Sequence, residues 1–185
     1  TLICEDIWQS GGPVAEISNH GTDIALVLNG SPFEVDKGDR RLELVRNLAL
    51  TQNIGVAYVN LTGGQDDLVF DGDSLFVDSS GELVVRAEQF QTSIDYVDIT
   101  SKATSASKNM HASALTRSSL EEQVWNALVT GLKDYVAKNG FKSVILGLSG
   151  GIDSAVCAAL AVDALGAHRV FGVSMPSKYS SGHSV

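Results

Sequence analysis

Short apolar runs alternate with turn residues over the first hundred positions, which favours a strand-rich region. Residues 23–29 and 55–61 are almost continuously apolar, and this predicts two buried strands. The glycine pair Gly63-Gly64 is expected to end the second strand. Between the two strands, apolar residues recur at helical spacing and predict a helix over residues 40–53.

The pattern changes near residue 100. Before that point, alternating residues at 74–78 and 82–86 flank a Ser-Ser-Gly turn and predict a hairpin. After it, residues 101–117 are mostly small and polar, which predicts a linker. We therefore predict one domain over residues 1–100 and a second over residues 118–185.

The second predicted domain begins with a helix. Ser118-Ser119 supplies capping hydroxyls before acidic residues, and an apolar stripe through Val124, Leu128 and Leu132 continues towards Gly140. The elements predicted after this helix are a strand over residues 143–148, a helix over residues 155–165 and a strand over residues 169–174. This order is typical of the beginning of a doubly wound α/β domain.

Composition excludes two classes of partner. The chain has 185 residues, 44% of them hydrophobic, and a net charge of −9 without a basic stripe, so we expect no nucleic acid. No apolar run reaches membrane-spanning length, so we expect no membrane contact and a cytoplasmic location. Cys4 and Cys157 are far apart and do not suggest a disulfide framework. Cys157 lies in an Ala-rich predicted helix and is expected to be buried.

The strongest chemical signal is the loop sequence Ser149-Gly150-Gly151-Ile152-Asp153-Ser154. Its two glycines permit a close backbone approach to an anion, and the following helix directs free N–H groups to the same place. The Lys-Ser/Thr of a Walker A loop is absent. The loop is predicted to bind phosphate through its backbone N–H groups, Ser149 and Ser154. The alternative is a glycine turn without a ligand.

Asp153 is the acidic residue of this loop. A carboxylate beside an anion has no evident use unless a cation lies between them, which favours Mg²⁺ held by Asp153 on the phosphates. The alternative is that Asp153 caps the helix, and the two roles are compatible.

The loop resembles the PP-loop of ATP pyrophosphatases, which cleave ATP to AMP and pyrophosphate in order to adenylate an acceptor. The resemblance implies that ATP and Mg²⁺ bind here. It assigns ATP binding to eight consecutive residues, Gly147, Leu148, Ser149, Gly150, Gly151, Ile152, Asp153 and Ser154.

A second candidate site lies at the start of the chain. Leu2-Ile3-Cys4 is expected to end a buried strand, and the acidic residues Glu5 and Asp6 follow it. A cysteine at a strand end is suited to act as a nucleophile, but it is also often a packed residue. Trp8 is expected either to line the pocket or to belong to the core.

The sequence downstream favours the nucleophile. Asn29-Gly30-Ser31-Pro32-Phe33 closes the next predicted strand, and a basic helix start that contains Lys37 follows. With Cys4-Glu5-Asp6-Ile7-Trp8, these motifs resemble the C-terminal half of a nitrilase-type amidase domain, which hydrolyses carboxamides through a thioester with a Glu–Lys–Cys triad. The resemblance makes Cys4 the nucleophile and makes Ser31, Lys37 and Glu5 contacts for glutamine. A turn serine and a solvated lysine remain the alternatives at Ser31 and Lys37.

The two halves together resemble the glutamine-dependent NAD synthetase family, and the tail Ser174–Ser181 resembles the same family. The resemblance implies an α/β fold, with the C-terminal half of a nitrilase-like αββα domain followed by the start of a Rossmann-like, doubly wound PP-loop synthetase domain. It implies glutamine, ATP and deamido-NAD as substrates, and a homo-oligomer.

The triad's Glu and Lys match no position in this chain, which starts at Thr1 without a methionine. We therefore expect an internal fragment that has no glutaminase activity alone. The alternative function is a stand-alone amide hydrolase with a vestigial nucleotide-binding half, which ATP-dependent product formation would exclude.

Overall fold

The computed structural model describes residues 1–9, 11–99 and 117–175. The chain divides into two compact units. Unit 1 comprises Thr1–Gly63 with Phe70–Leu120, and unit 2 comprises Gly64–Val69 with Glu121–Val185. Most of the predicted linker, residues 101–116, and the tail from Pro176 lie outside the described residues, so the predicted domain bounds stay a prediction.

The chain from Leu2 to Arg86 contributes seven strands and two α-helices among the described residues. The strands are β1 (Leu2–Ile3), β2 (Ile24–Asn29), β3 (Gly55–Asn60), β4 (Thr62–Gln65), β5 (Leu68–Asp71), β6 (Leu75–Val77) and β7 (Leu83–Arg86), and the helices are α1 (Gly12–Glu16) and α2 (Lys37–Gln52). Short 3₁₀ turns at Cys4–Trp8 and Ile17–His20 flank α1.

Five of these strands form one mixed sheet in the order β1-β2-β3-β6-β7. β1, β2 and β3 are parallel, whereas β6 is antiparallel to both β3 and β7. Val27 pairs with Tyr58 across β2 and β3, and both side chains are fully buried with Val45 of α2. This packing between one face of the sheet and α2 is the core of unit 1.

The hydrophobic pattern predicted these elements well but not all of their bounds. Ala25 and Val27 are buried, while Leu26 and Leu28 are 47% and 51% exposed, so β2 alternates rather than being buried throughout. Helix α2 begins three residues before the predicted start, after Asp36, whose backbone has a φ of 66°.

The glycine pair predicted to end β3 does not end it. β3 stops at Asn60, and Gly63 and Gly64 lie inside β4, which pairs with β5 in a separate two-stranded sheet. Strand pairing uses backbone hydrogen bonds, which glycine can also make. A glycine pair can therefore lie inside a strand and does not by itself mark the end of one.

The predicted hairpin is confirmed as β6 and β7. Asp78 Oδ1 accepts hydrogen bonds from the backbone N–H of Ser80 (2.9 Å), the Ser80 hydroxyl (2.6 Å) and the backbone N–H of Glu82 (2.9 Å). The carboxylate therefore closes the turn, as Asp does in Asx turns.

Unit 2 contains the predicted strand–helix–strand sequence. Its elements are α3 (Leu120–Lys138), β8 (Val144–Leu148), α4 (Ile152–Leu165) and β9 (Val170–Ser174). β8 and β9 are parallel, and Val136, Ala164 and Leu165 form the buried centre of this unit. Among the described residues, no helix combines the length and apolar character needed to cross a membrane.

One expectation for unit 2 is wrong, and another holds only in part. The predicted stripe of α3 joins the core through Leu132 and Val136, but Val124 and Leu128 are 37% and 53% exposed while Ala127 is buried. Cys157 is exposed rather than buried. Both helices are apolar on more than one face, so helical spacing alone did not identify the buried one.

Candidate active site

The first candidate site lies at the carboxyl edge of the parallel strands of unit 1. Cys4 directly follows β1, Ser31 is the second residue after the end of β2, and Asn60 ends β3. Because these strands are parallel and adjacent, their carboxyl ends meet at one edge of the sheet. The fold therefore brings together residues that are up to 56 positions apart in the sequence.

Cys4 has a strained backbone. Its φ is 40°, in the left-handed region that residues with a Cβ seldom adopt. The Asp6 carboxylate accepts a hydrogen bond of 2.8 Å from the backbone N–H of Ile3 and so fastens the turn on which Cys4 lies. Strained residues of this kind concentrate at functional sites, where the surrounding structure holds them.

A cavity of about 250 Å³ opens beside this cysteine. Its lining residues are Cys4, Glu5, Trp8, Ser31, Pro32, Glu34, Lys37 and Arg40. The four residues predicted from sequence for the amidase site thus lie around a single cavity. Trp8, for which pocket and core were both open, lines the cavity and also packs partly against the core.

Ser31 is fixed in place by two neighbours. Its backbone N–H donates to Asn60 Oδ1 at 2.9 Å, and Asn60 Nδ2 donates to the Ser31 carbonyl at 3.1 Å. Arg41 Nη2 donates to the Ser31 carbonyl at 2.8 Å and to Ser31 Oγ at 3.1 Å. Only 3% of Ser31 is exposed, so it is a buried residue of the cavity wall.

Arg41 is itself completely buried, with 0% exposure. Its Nη1 donates to Asp71 Oδ1 at 2.7 Å, and Gln89 Nε2 donates to the other carboxylate oxygen at 3.2 Å. The same Nη2 that contacts Ser31 also donates to the Pro32 carbonyl at 3.0 Å. A buried charge is tolerated only when it is paired and hydrogen-bonded in this way.

Tyr58 lies beneath this group of residues. Burial raises the pKa of its hydroxyl, against the opposing effects of Ser31 and Arg41, while Cys4 and Asp71 act in the same direction as burial. The hydroxyl is fully buried near Ser31, and none of its contacts among the described residues has the geometry of a hydrogen bond. The neutral phenol is therefore the favoured form of Tyr58 near Ser31.

Charged side chains line the outer part of the cavity. Lys37 Nζ contacts Glu34 Oε1 at 2.5 Å, and this ammonium lowers the pKa of Glu34. The Arg40 guanidinium lies 5.8 Å from the centre of the Trp8 ring. The cavity thus offers cations and a carboxylate at its mouth, an arrangement suited to a small zwitterionic ligand.

The second candidate site, in unit 2, is the loop between β8 and α4. Gly150 has a φ of 78°, and Gly151 is the N-cap residue of α4. Ser154 Oγ donates to the Gly151 carbonyl at 3.0 Å and lies 3.2 Å from Ser149 Oγ. Both serine hydroxyls therefore lie at the helix N-terminus with the backbone N–H groups, as an anion site requires.

Asp153 lies in the first turn of α4 and is exposed. The cap position belongs to Gly151, so the alternative reading of Asp153 as the cap residue is wrong. No group of three or more His, Cys, Asp or Glu side chains that could hold a metal occurs in the described part of the chain. A single carboxylate still fits Mg²⁺ when substrate phosphates and waters supply the remaining ligands.

Sequence reasoning missed the residues that support the first site. Asn60, Arg41 and Asp71 act through contacts that span 10 to 30 positions, which no local pattern shows. One available signal was that both long apolar strands, β2 and β3, end in asparagine. Polar residues at the carboxyl ends of adjacent parallel strands commonly face the same site.

Two family models match the chain. The carbon-nitrogen hydrolase model matches residues 1–109, which is more than half of the chain, and the NAD synthase model matches residues 124–185. The chain belongs to the carbon-nitrogen hydrolase family.

Curated relatives align with both parts of the chain. The glutamine-dependent NAD(+) synthetase of Acinetobacter baylyi is 41% identical over 184 residues, and that of Synechocystis sp. is 39% identical over 195 residues. These alignments cover 100% and 99% of this chain but 33% and 34% of the relatives. The chain therefore spans about a third of the length of the curated relatives it matches.

Solved structures of glutamine-dependent NAD synthetases also align with most of this chain. A glutamine-dependent NAD+ synthetase from Acinetobacter baumannii, in complex with ADP, is 41% identical, with a TM-score of 0.87 over 99% of this chain and 34% of the other. A glutamine-dependent NAD(+) synthetase from Cytophaga hutchinsonii is 27% identical, with a TM-score of 0.61 over 88% of this chain and 24% of the other.

The comparisons confirm the family resemblance and the fold class predicted from the sequence. Part of a nitrilase-like carbon-nitrogen hydrolase domain is followed by part of an NAD synthetase domain. The roles of individual residues stay predictions, although the fold brings the predicted amidase residues to one cavity.

Proposed function

We propose that this chain takes part in the ATP-dependent amidation of deamido-NAD to NAD, with ammonia released from glutamine at Cys4. One observation carries the proposal: a single chain holds both a polar cavity around a strained cysteine and a serine-glycine loop at a helix N-terminus. Relatives that align with the whole chain are named glutamine-dependent NAD(+) synthetases, which supports assigning both sites to one reaction.

In the amidase step, Cys4 attacks the carboxamide carbon of glutamine as the thiolate. The carbon–nitrogen bond breaks as the nitrogen takes up a proton and leaves as ammonia, and a thioester on Cys4 remains. Water then hydrolyses the thioester to glutamate and restores the thiol. Lys37 and Ser31 are assigned to the amino-acid end of glutamine and Glu5 to its ammonium group, and all three line the cavity with Cys4.

In the synthetase step, the nicotinate carboxylate of deamido-NAD attacks the α-phosphorus of ATP, and pyrophosphate leaves. Ammonia then attacks the carbonyl carbon of the adenylate, AMP leaves, and loss of a proton gives the amide. The backbone N–H groups at Gly150 and Gly151, with Ser149 and Ser154, are assigned to the phosphates.

Mg²⁺ is assigned to Asp153, whose exposed carboxylate lies in the turn that carries the phosphate ligands. When bound, Mg²⁺ neutralises charge on the phosphates and favours departure of pyrophosphate. We further propose a cytoplasmic homo-oligomer without nucleic-acid or membrane partners.

The test uses a polypeptide of the relatives' length that contains these 185 residues. Deamido-NAD, ATP and Mg²⁺ are supplied with either glutamine or ammonium, and NAD, AMP, pyrophosphate and glutamate are measured. We expect NAD from both nitrogen sources, with AMP and NAD formed in equal amounts. Release of glutamate without any ATP-dependent product would instead favour the stand-alone amide hydrolase.

A further inference from the structure

Arg41 is the one completely buried cation of unit 1 in the described part of the chain, and its hydrogen bonds point to the cavity wall. Only Nη1 is bonded to its counter-ion Asp71, at 2.7 Å. Nη2 is bonded to the Ser31 carbonyl, Ser31 Oγ and the Pro32 carbonyl. Ser31 and Pro32 both line the cavity beside Cys4.

Arg86 offers a comparison, because it is also a buried arginine that is paired with an aspartate. It is 4% exposed, ends strand β7, and donates to Asp73 from two nitrogens, Nε at 2.6 Å and Nη2 at 2.8 Å. Arg41 does not form a bidentate pair with its carboxylate, and its Nε is buried without a hydrogen bond. Three of the four hydrogen bonds that Arg41 makes here thus go to Ser31 and Pro32, and one goes to its carboxylate.

The chemistry of a guanidinium determines what this does to Ser31. Arginine can only donate hydrogen bonds, so Ser31 Oγ acts as the acceptor of the bond from Nη2. The hydrogen of the Ser31 hydroxyl is then left for another acceptor. The neighbouring Tyr58 oxygen makes no hydrogen bond of good geometry among the described residues. A carboxylate is a stronger acceptor than this neutral phenol, so a bound carboxylate would take up the Ser31 hydrogen.

We propose that Arg41, held by Asp71, is a positioning residue that fixes the Ser31 hydroxyl as a hydrogen-bond donor to the α-carboxylate of a bound amino acid. This inference rests on the proposed glutamine hydrolysis at Cys4. Arg41 acts through Ser31 and does not touch the substrate. Lys37, which also lines the cavity, supplies the positive charge for the same carboxylate.

The test measures steady-state glutamine hydrolysis by a polypeptide of the relatives' length. Arg41→Lys keeps the charge beside Asp71, but a single ammonium cannot reproduce the planar fork that reaches Ser31 and Pro32. We expect the KM for glutamine to rise roughly tenfold or more, since a charge-assisted contact is weakened. The rate of NAD synthesis from ammonium should stay within about twofold of the unmodified protein, a change too small to count as a lost interaction.

Arg86→Lys is the matched control, because it makes the same change at a buried arginine whose hydrogen bonds go to Asp73 and not to a residue that lines the cavity. It should lower the melting temperature as Arg41→Lys does, without raising the KM for glutamine. Equal KM values in the two variants would overturn the proposal.

A second variant covers the case in which Arg41→Lys does not fold. Arg41→Met combined with Asp71→Leu replaces the whole buried ion pair by apolar side chains, an exchange that proteins often tolerate. A folded double variant with an unchanged KM for glutamine would also overturn the inference.

A double-mutant cycle with Ser31→Ala tests whether Arg41 acts through that hydroxyl. The increase in KM from Arg41→Lys should become much smaller once Ser31 lacks its oxygen, and a full increase would contradict the proposed route. The two proposals can be told apart. If the unmodified protein releases no glutamate from glutamine, the proposed function is wrong and this inference falls with it. If it does release glutamate but the variants keep its KM, only this inference is wrong.

Discussion

At the residue scale, the polar site of unit 1 lies beside an apolar sheet, and the buried charges of Arg41 and Asp71 near it are paired. Arg41 and Asp71 bond to each other and to Ser31, Pro32 and Gln89. Some buried polar atoms near the site nevertheless lack a hydrogen bond of good geometry among the described residues, and the Tyr58 hydroxyl and Arg41 Nε are two of them. An unpaired buried hydroxyl costs stability, so its presence near Ser31 favours a role in the site.

Tyr58→Phe is therefore expected to leave the free energy of unfolding at pH 7 unchanged or to raise it by about 1 kcal/mol, because an unpaired polar atom is removed. Urea unfolding of the two proteins measures the difference. A loss of several kcal/mol would show that the hydroxyl makes a stabilising hydrogen bond.

The raised pKa of Tyr58 also gives a pH dependence. The neutral phenol is favoured in the folded state, so its contribution is complete below about pH 10, the unfolded value, and is lost as pH rises through the folded value. Tyr58→Phe should reduce the alkaline loss of stability, measured by urea unfolding from pH 8 upwards. An unchanged alkaline slope would contradict the assignment of that loss to Tyr58.

The residues of the amidase site could be predicted from sequence only where a local motif contains them. Cys4, Glu5, Ser31 and Lys37 lie in two such motifs, and the fold brings them to one cavity. Arg41, Asp71 and Asn60 could not be found in this way, because their partners are 10 to 30 positions away. The adjacent Arg40 and Arg41 look alike in the sequence, yet Arg40 is exposed and Arg41 is completely buried.

At the element scale, both candidate sites use the end of a parallel strand. Cys4 follows β1, and the serine-glycine loop joins β8 to α4. Elements with a strong period were predicted to within a few residues, as for α2, β3 and the β6–β7 hairpin. The buried face of α3 and the exposure of Cys157 were not, because helices apolar on several faces give no unique stripe.

The phosphate loop gives a prediction at this scale. Ser149→Ala or Asp153→Asn should lower NAD formation with glutamine and with ammonium alike, because both routes need the adenylate. Loss of one transition-state contact costs on the order of 2–4 kcal/mol, roughly a hundredfold or more in rate. Rates measured with each nitrogen source, over a range of Mg²⁺ concentrations for Asp153→Asn, provide the check.

Asp163→Asn is the control for this loop. Asp163 lies on the same helix, where it accepts a hydrogen bond of 2.9 Å from Trp125 Nε1, and an asparagine oxygen can still accept that bond. Its activity should be nearly normal. If Asp153→Asn has normal turnover and normal Mg²⁺ dependence, the assignment of Mg²⁺ to Asp153 is wrong.

At the scale of the whole molecule, two units each present one candidate site. The sequence contains both motifs and the change of pattern near residue 100, which was enough to predict the family and the fold class. Composition helped only by making one class of function less favourable: a net charge of −9 without a basic stripe does not favour nucleic-acid binding. We propose that one unit supplies ammonia and the other consumes it.

The most direct measurement of that claim is the nitrogen-source dependence of Cys4→Ala, in a polypeptide of the relatives' length. Cys157→Ala, which removes the exposed second cysteine, is the control and should behave as the unmodified protein does. We predict that Cys4→Ala abolishes NAD synthesis from glutamine and leaves synthesis from ammonium largely intact. Equal loss with both nitrogen sources would reduce Cys4 to a packing residue, and unchanged synthesis from glutamine would remove it from the mechanism.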